Sequence, residues 1–163
     1  MLKLSGRLAL EELAASGKYV FHGSQNGTLK KLMPIAGGSK RYNQQTGKVS
    51  EAKKYVYATK HLDLSIFIAT IWRRIGASGW TTNGLNTSGA GFIFHASPEA
   101  IEEAARSDNK GYVYVLDAKQ FKPDNENPDE MVCSTSIEPC SVVEVNANDL
   151  KPDFRKLASP PQV

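Results

Sequence analysis

Three short stretches hold side chains that could do chemistry together. In Tyr19-Val20-Phe21-His22-Gly23-Ser24 an apolar run ends abruptly in a histidine, and the next position carries no side chain. An imidazole, a backbone open to close approach and a short hydroxyl make a compact polar hook at a strand end. In Val56-Tyr57-Ala58-Thr59 a second apolar run ends in an aromatic hydroxyl and a small residue. In Glu130-Met131-Val132-Cys133 a carboxylate opens a third. Glu138 and Glu144 are the alternative carboxylates in this part of the chain. Glu138 precedes Pro139, which points to a turn. Glu144 alternates with Val143 and Val145, which places it on the solvent side of an edge strand.

Other chemistries find little support. Cys133 and Cys140 give neither a zinc pattern nor a disulfide framework and read as buried free thiols. No second histidine is placed to activate them: His61 reads as a surface or capping residue, and His95 as a core or strand-end one. The glycines of residues 76–91 come without a phosphate-loop lysine. The chain has 163 residues, and its 20 basic minus 17 acidic side chains leave a formal charge of +3, too small to argue nucleic-acid binding by itself. Lys40, Arg41, Lys48, Lys53 and Lys54 read as a solvated face. Glu11 and Glu12 break up the N-terminal pattern, which excludes a secretory signal reading, and no apolar run approaches membrane-spanning length. A cytoplasmic protein is expected, or an effector delivered by a machine that needs no such signal.

The elements that must position these residues follow from the pattern. A single domain, 1–163, is expected, with an N-terminal helix (1–17), a core (18–150) and a frayed tail (151–163). Leu8, Leu10, Leu13 and Ala14 recur at helical spacing, with Ser5 as cap and Gly17 as stop. Residues 18–23, 54–59, 92–96, 112–117, 131–137 and 141–145 read as strands. A well-buried helix opens at His61 or Asp63 and runs through LSIFIATIWRRIG, and Ser97-Pro98-Glu99 opens another that reaches about Arg106. Residues 36–54 read as a basic loop or hairpin lid, and 76–91 as loop. Strands joined by short turns argue antiparallel pairing, so the expected class is α+β, a split, highly curved, mostly antiparallel sheet with flanking helices.

At these residues the chain resembles the ADP-ribosyltransferase superfamily, in the His-Tyr-Glu branch that includes poly(ADP-ribose) polymerase catalytic domains and diphtheria-type toxins. His22-Gly23-Ser24 is similar to the branch's first motif, Val56-Tyr57-Ala58-Thr59 to its Tyr-Phe-Ala strand, and Glu130-Met131-Val132 to the strand that starts with the catalytic glutamate. Ser134-Thr135-Ser136 lies in the wrong order for the superfamily's other branch and reads as ordinary strand. The resemblance implies NAD⁺ as cofactor, bound extended across a cleft in a split sheet. It implies that His22 bonds the adenosine ribose, that the Gly23 backbone with the Ser24 hydroxyl holds the nicotinamide carboxamide, and that Tyr57 stacks on the nicotinamide with Phe67 on its opposite face. Glu130 would bind the 2′-hydroxyl of the nicotinamide ribose. The implied activity is mono-ADP-ribosyl transfer to a protein or nucleic-acid acceptor, with no membrane partner, as in a bacterial or phage toxin with a cognate antitoxin or immunity protein. An RNA 2′-phosphotransferase-like enzyme and a non-catalytic ADP-ribose or NAD-binding module are the alternatives on the same fold.

Overall fold

The computed structural model describes residues 6–36, 41–42, 45–47, 49–50, 54–71, 81–85, 92–106, 109–125, 130–150 and 154–156. Helix α1 (Gly6–Ala15) buries Leu10 and leans Ala9, Leu13 and Ala14 on the same cluster. It stops as glycine permits: Gly17 has φ +68°, and its N–H bonds the Ala14 carbonyl at 3.1 Å. Leu8 departs from the expected apolar stripe. It is 81% exposed, because the helix turns this position away from the sheet. Ser5 lies outside the described residues.

After α1 the chain runs through β1 (Tyr19–Ser24), β2 (Ile35–Ala36), β3 (Arg41–Tyr42), β4 (Val49–Ser50), β5 (Lys54–Thr59), α2 (Leu62–Thr70), β6 (Thr81–Leu85), β7 (Phe92–Ala96) and α3 (Pro98–Ala104). It continues with β8 (Gly111–Asp117), β9 (Lys122–Pro123), β10 (Glu130–Cys133), β11 (Ser141–Val145) and β12 (Phe154–Lys156). The main sheet has the order β11-β8-β1-β5-β10-β9, with β2 also paired to β5, and every pair is antiparallel. The α+β class and antiparallel pairing are therefore as expected. No described helix is long and apolar enough to cross a membrane.

Strand parity sorts the core into two layers. On one face Phe21, Val113, Val115, Val143 and Val145 pack under Leu10 of α1 and Ile66 and Ala69 of α2. On the other, Val20, Val56, Ala58, Tyr114, Leu116, Met131 and Cys133 pack with Leu32, Phe121 and Ile137. A third cluster joins Leu64, Phe67 and Ile71 at α2 to Ala100 and Ala104 of α3. Ser97 caps α3, its hydroxyl accepting from the Ala100 N–H at 3.2 Å, with Pro98 in the first turn. Arg7 pins α1 to the start of α2, with its guanidinium 2.5 Å from Asp63 and 2.7 Å from Glu11.

Three sequence expectations are corrected here. The strand read over 131–137 ends at Cys133: Ser134-Thr135-Ser136 bend away from the sheet before Ile137 bridges Leu32. Residues 81–85 are not loop: β6 pairs antiparallel with β7 from Thr81↔Ala96 to Leu85↔Phe92. A strand containing Asn83 and Gly84 has weak local propensity, and a partner further along the chain supplies its ladder. Nor is the tail wholly frayed, since β12 pairs in parallel with β7. Of the expected lid, the described part is β2 and the small β3–β4 hairpin; residues 37–40, 43–44, 48 and 51–53 lie outside the described residues, as do the second half of the long helix pattern (72–76), residues 77–80 and 86–91 of the expected loop, and the last residues, 157–163.

Candidate functional site

Strand β1 is joined to β8 along its whole length, from Tyr19↔Asp117 to Ser24↔Tyr112. Toward β5 it is joined by one register pair, Phe21↔Thr59. Among the described residues no ladder pair carries Gly23 or Ser24 on to β5. The next link comes from a side chain: His22 Nδ1 lies 2.6 Å from the Tyr57 carbonyl oxygen. This is the place where the expected cleft between the His22 and Tyr57 strands would open.

That bond fixes the histidine's chemistry. A carbonyl only accepts, so Nδ1 carries the proton and donates, and in the neutral ring Nε2 is an acceptor. Burial lowers the His22 pKa below the usual histidine value, and the bond to the Tyr57 carbonyl opposes that shift. The ring is therefore neutral at physiological pH, with Nε2 suited to a hydroxyl donor.

The two other residues of the set meet on a different face. Thr59 stands between Phe21 and Glu130 in one row across three strands, and the next row pairs Tyr57 with Val132. Tyr57 and Glu130 are thus diagonal neighbours on the α2 side of the sheet, about 7 Å apart by strand geometry. Tyr57 stacks edge-on against Tyr55, with ring centroids 5.9 Å apart. Glu130 is half-buried, and its carbonyl accepts from Asp124 N–H at 2.9 Å. His22 belongs by parity to the opposite face, with Tyr114 across the ladder, and reaches toward Tyr57 where the strands part.

Glu138 is exposed in the loop between β10 and β11. Glu144 lies on the edge strand β11, 3.6 Å from Lys110. Neither is in register with Tyr57 or Thr59, whereas Glu130 is.

The packing around three of the expected residues sets what each can offer. Gly23 does not bare its backbone on the α side for a ligand, because a β-carbon there would lie 2.2 Å from the Ser65 carbonyl oxygen and 2.9 Å from the Ala69 nitrogen. It is the seat of α2 on the sheet. Gly111 on β8 makes the same fit, 2.2 Å from the Ala69 carbonyl oxygen. Phe67 is fully buried among Leu64, Ile71, Ala100 and Ala104, so it serves the α2–α3 core and presents no face to a bound ring. Ser24 Oγ accepts from the Asn26 N–H at 3.1 Å, which ties it to the following turn while its own proton remains a donor.

Cys133 is buried as expected, but Cys140 is exposed, because it begins the turn into β11 rather than a core strand. His61 stands at the N-cap of α2 without a side-chain capping bond. Among the described residues no cluster of His, Cys, Asp and Glu could hold a metal ion. Two residues that sequence reasoning passed over matter here. Thr59 is 4% exposed and anchors the row between Phe21 and Glu130, and its Oγ accepts the His61 N–H at 3.0 Å. Tyr114 faces His22 from β8 with ring centroids 6.5 Å apart. The tyrosines alternating in YVYVLD were the available signal, since alternate positions share a face.

No family model matches the chain, and no curated protein or solved structure matches it.

Proposed function

We propose that the chain is an NAD⁺-dependent mono-ADP-ribosyltransferase whose dinucleotide lies where β1 and β5 part. The observation that carries this reading is the 2.6 Å bond from His22 Nδ1 to the Tyr57 carbonyl. It links the two motif strands at the point where their ladder stops, and it leaves Nε2 an acceptor for a ribose hydroxyl. The fit to NAD⁺ also rests on Tyr57 and Glu130 sharing one face.

In the proposed reaction Tyr57 stacks on the nicotinamide and orients it. Glu130 accepts from the 2′-hydroxyl of the adjoining ribose and faces the positive charge that builds as the C1′–N bond breaks. The bonding electrons leave with nicotinamide, which departs neutral. A nucleophile of the acceptor then bonds C1′ and loses its proton. A fixed carboxylate that meets charge only in the transition state is worth roughly 3–4 kcal/mol. The acceptor class is a macromolecule, protein or nucleic acid, as suits a toxin or effector held in check by an immunity partner. Phe67 has no part in the nicotinamide sandwich.

Nicotinamide release from NAD⁺, measured with and without cell lysate as acceptor, tests the proposal. The parent releases nicotinamide. Glu130→Gln binds NAD⁺ about as well and turns over on the order of a hundredfold more slowly, since only an interaction made in the transition state is lost. A parent that binds NAD⁺ and releases no nicotinamide with any lysate contradicts the enzyme and leaves a binding module.

A further inference from the structure

Tyr114 is the largest fully buried side chain among the described residues, and its hydroxyl does more than fill the core. The hydroxyl donates to the Asn26 carbonyl at 2.6 Å and accepts from the Leu29 N–H at 3.0 Å. Both partners are backbone groups of the loop that follows Ser24. The same loop is braced elsewhere. Asn26 Oδ1 accepts from Thr28 N–H at 2.9 Å and from Thr28 Oγ1 at 2.7 Å. Gly27 sits against the half-buried ring of Tyr112, where a β-carbon would lie 2.5 Å from the ring. Tyr112 and Tyr114 are two apart on β8, opposite Ser24 and His22, so one face of one strand holds both the motif and the loop after it.

A phenylalanine would fill the Tyr114 core position equally well. What the hydroxyl adds is a pair of bonds to two loop residues at once, from a strand that is itself zipped to β1. We infer that Tyr114 is a positioning residue, a buried clamp that holds Asn26–Leu29 in one conformation beside His22 and so preforms the wall of the cleft next to Nε2. This rests on the reading of the β1–β5 parting as the NAD⁺ site. A loop ordered in advance does not have to be ordered by the ligand, so the clamp acts on affinity rather than on bond breaking. Burial raises the Tyr114 pKa, partly offset by its hydrogen bond with Leu29, so the phenol keeps its proton and its donor role throughout the neutral range.

Tyr114→Phe separates the clamp from the cleft. Hydrogen exchange at the Leu29 amide reports the clamp without any ligand: it speeds up roughly tenfold in Tyr114→Phe while the β1–β8 ladder amides keep their protection. The Kd for NAD⁺ rises by about tenfold, with the rate of nicotinamide release at saturating NAD⁺ unchanged. Gly27→Ala, which strains the loop from the Tyr112 side, gives the same split and serves if Tyr114→Phe fails to fold. Unchanged Leu29 exchange in the folded variants overturns the clamp. Faster exchange with unchanged NAD⁺ affinity overturns the positioning role. An intact protein that binds no NAD⁺ overturns the cleft reading itself, and with it the role assigned to the loop, whatever the exchange data show.

Discussion

The two edges of β1 are built differently. Toward β8 the strand is zipped through six register pairs, and Gly23 is pressed against the backbone of α2. Toward β5 it is joined at Phe21↔Thr59 and then by the His22 imidazole. The zipped edge gives the histidine a backbone that cannot drift. The parted edge lets its ring commit one nitrogen to the protein, and in the proposed site the other accepts from the ligand. In this strand rigidity and the proposed binding role are divided between neighbouring positions, and the glycine after the histidine serves the rigid side.

The largest effect should come from spoiling the zipped side. Gly23→Ala drives a β-carbon into the Ser65 carbonyl and the Ala69 nitrogen, backbone atoms that can move only if all of α2 moves. A loss of about 3 kcal/mol, at the upper end of overpacking costs, is expected from urea unfolding. Stability within 0.5 kcal/mol of the parent, on the order of a surface change, would mean that α2 does not sit on Gly23 this closely.

A smaller effect belongs to the parted side. Because burial holds the His22 pKa below the ordinary value of about 6.5, the unfolded chain takes up a proton at this residue before the folded one does. Its contribution is therefore constant above about pH 6.5. Stability falls as the pH drops below that value, and the loss levels off once the folded-state pKa is passed. The difference in urea midpoint between the parent and His22→Ala, followed from neutral to acid pH, should shrink on acidification. A difference that grows there would mean that the folded protein prefers the charged ring. NAD⁺ binding should weaken over the same range, because protonation turns Nε2 from acceptor to donor.

The smallest effect lies at the sheet's outer edge. Lys110 and Glu144 are 3.6 Å apart, with the lysine 54% exposed. Lys110→Ala should cost less than about 1 kcal/mol and leave NAD⁺ binding untouched. A larger loss by thermal unfolding would show that this edge matters more to the sheet than an exposed ion pair does.

Much of this was legible in the residues. β5, β7 and β11 fall on the expected spans, β1 and β8 nearly so, and Ser97-Pro98 marks the start of α3, because alternation and capping are local signals. What the sequence hid depends on partners distant along the chain. β6 and β12 owe their form to β7 between them. The run of apolar residues in α2 showed burial but not which core Phe67 would join. A glycine after a histidine showed that bulk had to be absent, but not that a helix rather than a ligand needed the space. Glu130 was favoured over Glu138 and Glu144 as the start of a strand, and it does open β10, in register with Thr59.

The central claim, that the parting of β1 and β5 is an NAD⁺ site built on His22, is tested most directly by calorimetric titration of NAD⁺ into the parent and His22→Ala at neutral pH. The account predicts one saturable site in the parent and affinity roughly tenfold lower in a variant that still unfolds cooperatively, the cost of one buried hydrogen-bond partner. No heat of binding in the parent, or equal affinity in the two proteins, would contradict it.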